Sequence, residues 1–567
     1  MPHHKLTIAH RTLAMGEIRS AGAVLEASSS SGFNDNTSDS GLKNVVHESR
    51  LEEQSTAGSK ENDAYGGAGG DLGEGQLRKS FSLWSILGVG FGLTNSWFGI
   101  SVSMVTGIYS GGPMMVVYGI IIVALISTCI AVTLGELTSA YPHAGGQFWW
   151  SLQLAPPKYR RVAAYLCGAF AWAGAVFSSA STTLSVASEL VGMYALTHPD
   201  FTVKRWHVFV CFEILHMFLM LFNCSGKALP LISASSLYIS LVSFFTITVT
   251  VVACSRGKYN DAKFVFATFY NETGWKNSVI AFIVGLINPA WSFSCLDCAT
   301  HMAFEVENPE KVIPIAILST VGIGFVTSFC YVIAMFFSLQ NLDKVTASNT
   351  AMPILEIYRQ STNSTAAAVV LGCLVLFTSF GCVIACHTWQ ARLCWSFARD
   401  KGIPYSKYWA KIDPALGVPL NAHLLSGVLI SLLGCLYMAS TTAFNSLITG
   451  CIAFLLFSYS VPVVCLLARK RNIKHGPFWF GKFGAFCNIV LLGWTLFAVV
   501  FFCFPSVMPA TKNNMNYASV VIVGFLLFFL IFWQVKGKNE FYLKGDENAE
   551  SNNDSITTEE CVTLETK

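Results

Sequence analysis

Asp297, His301 and Glu305 recur every four residues within an apolar part of the chain, a spacing that sets all three on one face of a helix. Ionisable side chains inside a membrane are costly enough to be functional candidates by default. A stripe of acid, imidazole and acid could carry protons or close an inner gate. Glu305 stands nearest the end of the stripe, where an ordinary solvated acid is the competing reading. Glu189, toward the outer end of another apolar run, could draw cations into a vestibule or serve as a plain interfacial acid. Glu136 is expected to bond the loop next to it, and Glu213 with His216 to form a structural polar pair. No nucleophile stands beside Asp297 and His301, so the constellation an enzyme needs is missing. Cys295 and Cys298 have a metal-like spacing, but in an apolar segment they read as small hydrophobes, and no metal or cofactor is assigned.

The runs that must position these groups are interrupted in corresponding places. FSLWSILGVGFGLTNSWFGI sets Gly88, Gly90 and Gly92 before Thr94, Asn95 and Ser96, then Trp97 and Gly99. IVGLINPAWSFSCLD sets Gly285 before Asn288 and Pro289, then Trp291, Ser292, Phe293 and Ser294. Glycine weakens a helix by ~1 kcal/mol and interior proline by ~3 kcal/mol, and both expose backbone groups that hydrocarbon leaves unsatisfied. Such segments should line a cavity; the competing reading is close helix packing. They lead two successive sets of five runs, the relation expected of two inverted repeats with a site at their broken helices.

The rest of the chain supplies the frame. Of 567 residues, 53% are hydrophobic and only 12% charged, which excludes a wholly water-soluble fold. Apolar stretches long enough to cross a ~30 Å core begin near Phe81, Pro113, Ala163, Trp206, Leu229, Val279, Ile313, Ala366, Ala422, Phe444, Ala485 and Tyr517. Runs of this length should be helices, because an open strand edge cannot be left in lipid. The first 20 residues hold no secretory-type apolar core, so the first span is expected to direct its own insertion. Ser, Gly, Asn and acidic residues dominate both ends, which should stay as mobile tails over 1–78 and 537–567. Lys and Arg are more numerous on the side shared with the tails, so both termini should be cytoplasmic. Acceptor triplets at Asn271 and Asn363 then fall outside as glycosylation candidates, although triplets also occur at Asn36 and Asn553 in the tails. A net charge of +3 without a basic patch argues against nucleic acid, and most of the 18 Cys sit in apolar runs as free thiols.

Three blocks in order, LGELTSAYPHAGGQFWWSLQLAP, DCATHMAFEVENPEKVIPIAI and SFARDKGIPYSKYW, resemble the amino acid/choline transporter family of the amino acid, polyamine and organocation superfamily. The likeness runs from about Lys79 to Lys536. LRKSFSLWSILGVGFGLTNSWFGIS, GLINPAWSFSCLDCATHMAFEVE and FTSFGCVIACHTWQARLCWSFARD are most similar to its choline- and ethanolamine-carrying members. The resemblance implies an all-α integral membrane protein of about twelve helices. Its core would be a five-plus-five inverted repeat of the leucine-transporter type, with helices 1 and 6 broken and two helices added. Spans 1–5 would fill 79–255, spans 6–10 would fill 278–470, and spans 11 and 12 would fill 484–536. It further implies inward transport of choline, and of ethanolamine, across the plasma membrane by alternating access. Rival readings are a permease of the same fold for an amino acid, 4-aminobutyrate or a polyamine, and a nutrient receptor that does not transport. Many superfamily members hold a substrate carboxylate at a short Gly-rich signature in the first span, whereas this chain has LTNSWFG there.

A quaternary ammonium donates no conventional hydrogen bond, so its hydration must be replaced by electron-rich faces, each contributing ~2 kcal/mol when dry. Trp97 and Trp291, just past the two breaks, and Phe293 are the leading candidates, with Gly92 at the first break. Trp172, Phe177 and Phe380 are placed near the centre only by the implied fold. Thr94, Asn95 and Ser292 could bond a hydroxyl or else satisfy freed backbone groups. Asp297 could also act as a distant counter-charge to the amine. A potential of 100 mV contributes about 2.3 kcal/mol per charge, so a permanent cation accumulates without a proton partner; the stripe suggests proton coupling, but the driving force does not demand it.

Overall fold

The computed structural model describes residues 81–541, apart from 349, 351, 440–442 and 512–513. The expected N-terminal tail, residues 542–567 and the triplets at Asn36 and Asn553 lie outside the described residues. Ten described helices are long and apolar enough to cross a membrane: Gly112–Ala140, Arg160–Thr197, Arg205–Cys224, Leu229–Cys254, Pro309–Ser338, Thr365–Arg399, Leu420–Met438, Asn445–Ala468, Lys482–Phe501 and Ala518–Glu540. They form spans 2–5 and 7–12. Spans 1 and 6 are assembled from shorter pieces: Leu83–Thr94, Ser96–Val102 and Met104–Tyr109 in the first, Ser278–Gly285 and Ile287–Ser292 in the sixth. The fold is all-α; the one described strand pair joins Ser110–Gly111 to Tyr270–Asn271 at the outer end.

The two interruptions differ in kind. In the first span a single residue, Asn95, adopts the left-handed conformation (φ 31°, ψ 62°), which asparagine tolerates better than most residues. Helical bonding passes straight across it, from Asn95 N–H to Phe91 O (2.7 Å) and from Gly99 N–H to Asn95 O (2.9 Å). In the sixth span the sequence places the break at Gly285–Pro289, and the two pieces do meet there, at Leu286, but with helical bonding carried past the joint by Ala290 N–H on Leu286 O (2.9 Å). Pro289 stands in the first turn of the second piece, where its missing N–H would have had no helical partner. The chain instead leaves regular helix at 293–299 and resumes as a short 3-10 segment, Thr300–Glu305. The expected helical stripe of Asp297, His301 and Glu305 therefore runs down an irregular strand of chain.

The two broken spans touch where they cross. A methyl on Gly99 would lie 2.8 Å from Ser292 Oγ and 3.0 Å from its Cα, so glycine is required for this approach. Thr94 Oγ1 donates to Ser294 O at 3.3 Å. The end of the molecule where the described chain enters and leaves, here termed inner, is closed by the helix Gln147–Leu154 and by the last described turn. Lys538–Glu540 is helical and Phe541 is buried, its ring 5.4 Å from Tyr165 and 6.0 Å from Phe397. Residues 537–541, which the sequence assigns to the tail, are thus helical or packed here, because Phe541 has an apolar seat to fill. At the outer end, Asn363 is exposed at the left-handed close of helix Pro353–Thr362. Asn271 is half-buried, its side chain engaged by Thr273 (2.6 Å) and Trp275 O (2.9 Å).

Candidate functional site

A cavity of about 10 Å³, room for roughly one water, sits where spans 1, 3, 6 and 8 meet. Its wall is made by Leu93, Thr94, Phe98 and Gly99 of the first span, Ser178 and Thr182 of the third, Trp291, Ser292, Ser294 and Cys295 of the sixth, and Cys382 of the eighth. None of these side chains is charged. The composition is aromatic face, small hydroxyl and sulfur, which suits a desolvated organic cation better than a carboxylate.

Of the residues singled out from the sequence, Thr94, Trp291 and Ser292 line this cavity. Trp97 does not. Its indole turns the other way, donating to Ser240 Oγ (2.9 Å) and packing on Tyr331 (5.4 Å). Asn95 shares that arrangement by accepting from Ser240 Oγ at 3.1 Å. The left-handed turn at Asn95 redirects the helix face, so it is Phe98 that meets the cavity. Phe293 lines a separate cavity of about 30 Å³ with Tyr459 and Trp494. Trp172 donates to Ser426 Oγ (3.1 Å), Phe177 packs on Phe454 (5.3 Å), and Phe380 pairs with the exposed Phe377 (6.4 Å). Those three serve helix packing. Gly92 is buried but is not in the cavity wall, and the space beside its Cα is open.

The stripe closes the inner side. Asp297 is fully buried and accepts three hydrogen bonds: from Gln147 Nε2 (2.6 Å), Tyr459 OH (2.5 Å) and His301 Nε2 (3.1 Å). The other nitrogen of His301 meets Ala144 O at 2.9 Å. Both ring nitrogens are thus engaged, one by the carboxylate and one by a backbone carbonyl. Glu305 is not a solvated acid; it is buried in a two-pronged pair with Arg392 of the eighth span, at 2.9 and 3.3 Å. These bonds tie the irregular part of the sixth span to the Gln147 helix, the tenth span and the eighth. Beside them His143 stacks on Trp149 (4.0 Å) and meets Phe304 edge-on (4.8 Å). Burial, then the nearby charge of Arg399, then His301, push its imidazole well below the ordinary histidine range, so it sits there neutral.

The outer side is open. A vestibule of about 470 Å³ is lined by Val102, Thr106 and Tyr109 of the first span, Ser185 and Ser188 of the third, and Met352 and Pro353 of the outer loop, among others. Val102 and Ser185 lie one turn beyond Phe98 and Thr182, so about a single helical turn separates vestibule from cavity. Next to Ser188 comes Glu189, fully buried, with neither carboxylate oxygen hydrogen-bonded among the described residues. It is close enough to the bonded pair Tyr331–Tyr358 (2.6 Å) to act on both electrostatically.

Sequence reasoning missed Gln147, Tyr459 and Arg392 as partners of the stripe, although Gln147 lies in the AGGQFWW part of a quoted block. It missed the hydroxyl side chains of the third span, legible as Ser178, Thr182 and Ser185 at helical spacing. It also missed a cluster of His216, His387 and His423 from spans 4, 8 and 9, with ring centroids 5.0 and 5.8 Å apart. His216 contacts Gly427 O (3.0 Å), while Glu213 accepts from Ser431 (2.8 Å); the expected pair instead makes two separate bonds to the ninth span. Glu136 binds Arg471 (2.8 Å) and Phe480 N–H (2.7 Å), in the loop between spans 10 and 11 rather than the loop beside it.

Two interrupted helices crossing over a sealed cavity, plugged on one side and open on the other, define a membrane transporter of the broken-helix type. The amino acid permease family model matches residues 81–527, and the chain belongs to that family. It is 73% identical over 501 residues to the choline transporter of Saccharomyces cerevisiae, covering 88% of this chain and 89% of that one. It is 35% identical to the 7-keto 8-aminopelargonic acid transporter of the same yeast, over 79% and 90% of the two chains. It is also 35% identical to a swainsonine transporter of Arthroderma benhamiae, over 82% and 93%.

Proposed function

We propose that this permease imports choline, and ethanolamine with it, across the plasma membrane, with both chain ends in the cytoplasm. The reading is carried by the 73% identity to a choline transporter over most of both chains. The cavity supports it by offering Trp291, Phe98 and five hydroxyls without a fixed charge. The trimethylammonium group sits against Trp291 and Phe98, and the hydroxyl end points to Ser178, Thr182 and Thr94. In the closed cavity there is no room for the substrate, so binding must part the turn between Phe98 and Val102. Substrate enters from the vestibule, that turn closes, and the inner bonds of Asp297 and Glu305 then release.

Glu189 is the acid that an arriving cation or a proton neutralises, because an unpaired carboxylate in such surroundings is costly. Coupling to protons, if used, is assigned to Glu189 and to the Asp297–His301 pair. The test is uptake of labelled choline by cells lacking their own choline carrier. Uptake saturable by choline and inhibited by ethanolamine supports the reading. Uptake inhibited by amino acids, 4-aminobutyrate or polyamines, and indifferent to choline, refutes it.

A further inference from the structure

The chain holds no Asp or Glu between Asp413 and Glu540, yet five of its Lys and Arg fall within residues 469–482, in the loop between spans 10 and 11. Arg471 is turned inward: it pairs with Glu136 (2.8 Å), bonds Asn488, and lies 4.2 Å over the ring of Trp479. Arg469, Lys470, Lys474 and Lys482 are exposed and have no ion pair among the described residues. Their height in the membrane follows from the helices they flank. Lys482, Phe486 and Ile489 stand at i, i+4 and i+7 on the helix Lys482–Phe501, hence on one face. Phe486 and Ile489 are exposed there, on an apolar face that looks onto hydrocarbon. The cation that leads this face therefore sits where hydrocarbon gives way to headgroups. Arg469 and Lys470 come at the matching boundary, directly beyond the span Asn445–Ala468.

The loop is held in place. Phe480 N–H donates to Glu136 Oε1 (2.7 Å) and Phe478 N–H to Ser139 Oγ (3.0 Å), both at the inner end of span 2. A methyl on Gly476 would collide with Ser139 O, so the loop backbone is seated directly against that helix end. His475 stacks on Trp479 at 4.2 Å. Charge alone is enough to orient a span in the membrane, whatever the shape of the loop. A fixed, acid-free display of four cations at headgroup level matches a negatively charged headgroup.

We propose that the loop between spans 10 and 11 docks the headgroup of an anionic phospholipid in the leaflet it faces, and that the bound lipid braces the inner end of span 2 and so sets the rate of transport. The phosphate and a further negative charge of the headgroup meet Arg469, Lys470, Lys474 and Lys482, while the acyl chains lie along Phe483 and Phe486. The brace acts through Glu136 and Ser139. Span 10, which leads into the loop, also carries the Tyr459 hydroxyl that donates to Asp297. The lipid does not touch the cavity, so it alters turnover and leaves KM alone. The inference holds whichever amine is carried.

Native mass spectrometry of the full-length protein, titrated with phosphatidylserine or phosphatidylcholine, reads binding without any transported substrate. The unmodified chain should take phosphatidylserine about tenfold more tightly, and salt at about 0.5 M should remove most of that preference. Arg469→Gln, Lys470→Gln, Lys474→Gln and Lys482→Gln together should abolish it. The same loss of four exposed charges on other inner loops, by Lys158→Gln, Lys401→Gln, Lys407→Gln and Lys411→Gln, should not. In phosphatidylcholine vesicles, adding about a fifth of phosphatidylserine should raise kcat for labelled choline about threefold at unchanged KM. The unmodified chain and the control variant should respond in this way, and the loop variant should not. Absence of a preference in the unmodified chain, or equal loss of it in both variants, overturns the proposal; the binding arm on the unmodified chain keeps the test decisive even where a variant folds poorly. Binding without a change in kcat removes the brace. A full response of phosphatidylcholine vesicles to soluble glycerophosphoserine makes the ligand a free anion and overturns the lipid assignment. If choline is not carried at all while the binding results hold, the choline reading falls and the lipid site stands.

Discussion

The inner and outer halves of this permease treat buried charge in opposite ways. Inside, Asp297 has three donors and Glu305 has a guanidinium on both oxygens. Outside, Glu189 is equally buried and has no hydrogen bond among the described residues. A buried ion pair is an unremarkable source of net stability, but taking away one member is severe, about 3–5 kcal/mol. The difference teaches where this conformation stores its preference. The inner side is latched by pairs that must all part together, while the outer side carries an unsatisfied group that a ligand can settle.

The harshest way to break that contrast is to strip one member from the latch. Arg392→Met leaves Glu305 buried alone and should abolish uptake; Arg392→Met combined with Glu305→Gln should recover part of it, as labelled-choline flux with surface protein quantified would show. Equal loss in the single and double variants would remove the pair from gating. Where the two halves meet, Trp291→Ala forfeits ~2 kcal/mol of cation–π attraction and should raise KM about thirtyfold. Trp97→Ala should leave KM within about twofold but lower thermal stability, because its indole fills a packing site shared with Ser240 and Tyr331. The opposite pattern in a uptake and melting series would exchange the two tryptophans' roles.

Asp297→Asn keeps the shape of the latch and loses its charge, so roughly tenfold slower turnover at unchanged KM is expected from initial-rate measurements. Glu189→Gln should act more gently, changing the dependence of uptake on pH more than its maximum; an unaltered profile would take Glu189 out of any proton role. The smallest effect concerns His143. Its folded pKa is depressed, while in an opened inner loop it titrates near the ordinary ~6.5. Between those values the open form binds the extra proton, so stability of the closed plug is fully present above ~6.5 and declines as pH falls toward the folded value. Protection factors of residues 141–149, with the intrinsic pH dependence of amide exchange divided out, should therefore be lower at pH 5.5 than at 7.5, and His143→Phe should flatten that response.

Much of the frame was legible because lipid imposes it: twelve apolar runs are hard to misplace, and glycine with polar residues marked the two interrupted spans. What was not legible is rotation. One left-handed residue at Asn95 turns Trp97 toward spans 5 and 7 and Phe98 toward the cavity, and no spacing rule anticipates that. Pro289 misled in the sixth span, since proline in a first turn costs a helix little. The partners of the stripe come from Gln147, Arg392 and Tyr459, some 150, 87 and 162 residues away in sequence. Such pairings are set by the packing of remote spans and leave no local pattern to find.

At Gly99 and Ser292 the main chain of one crossing segment presses on the Cα and short side chain of the other, with nothing bulkier between them to cushion sliding. They are blades on one rivet: a swing of either is transmitted to the other without lag. An alanine at 99 would act as a washer, prising the blades permanently apart and opening a seam through which ions could leak.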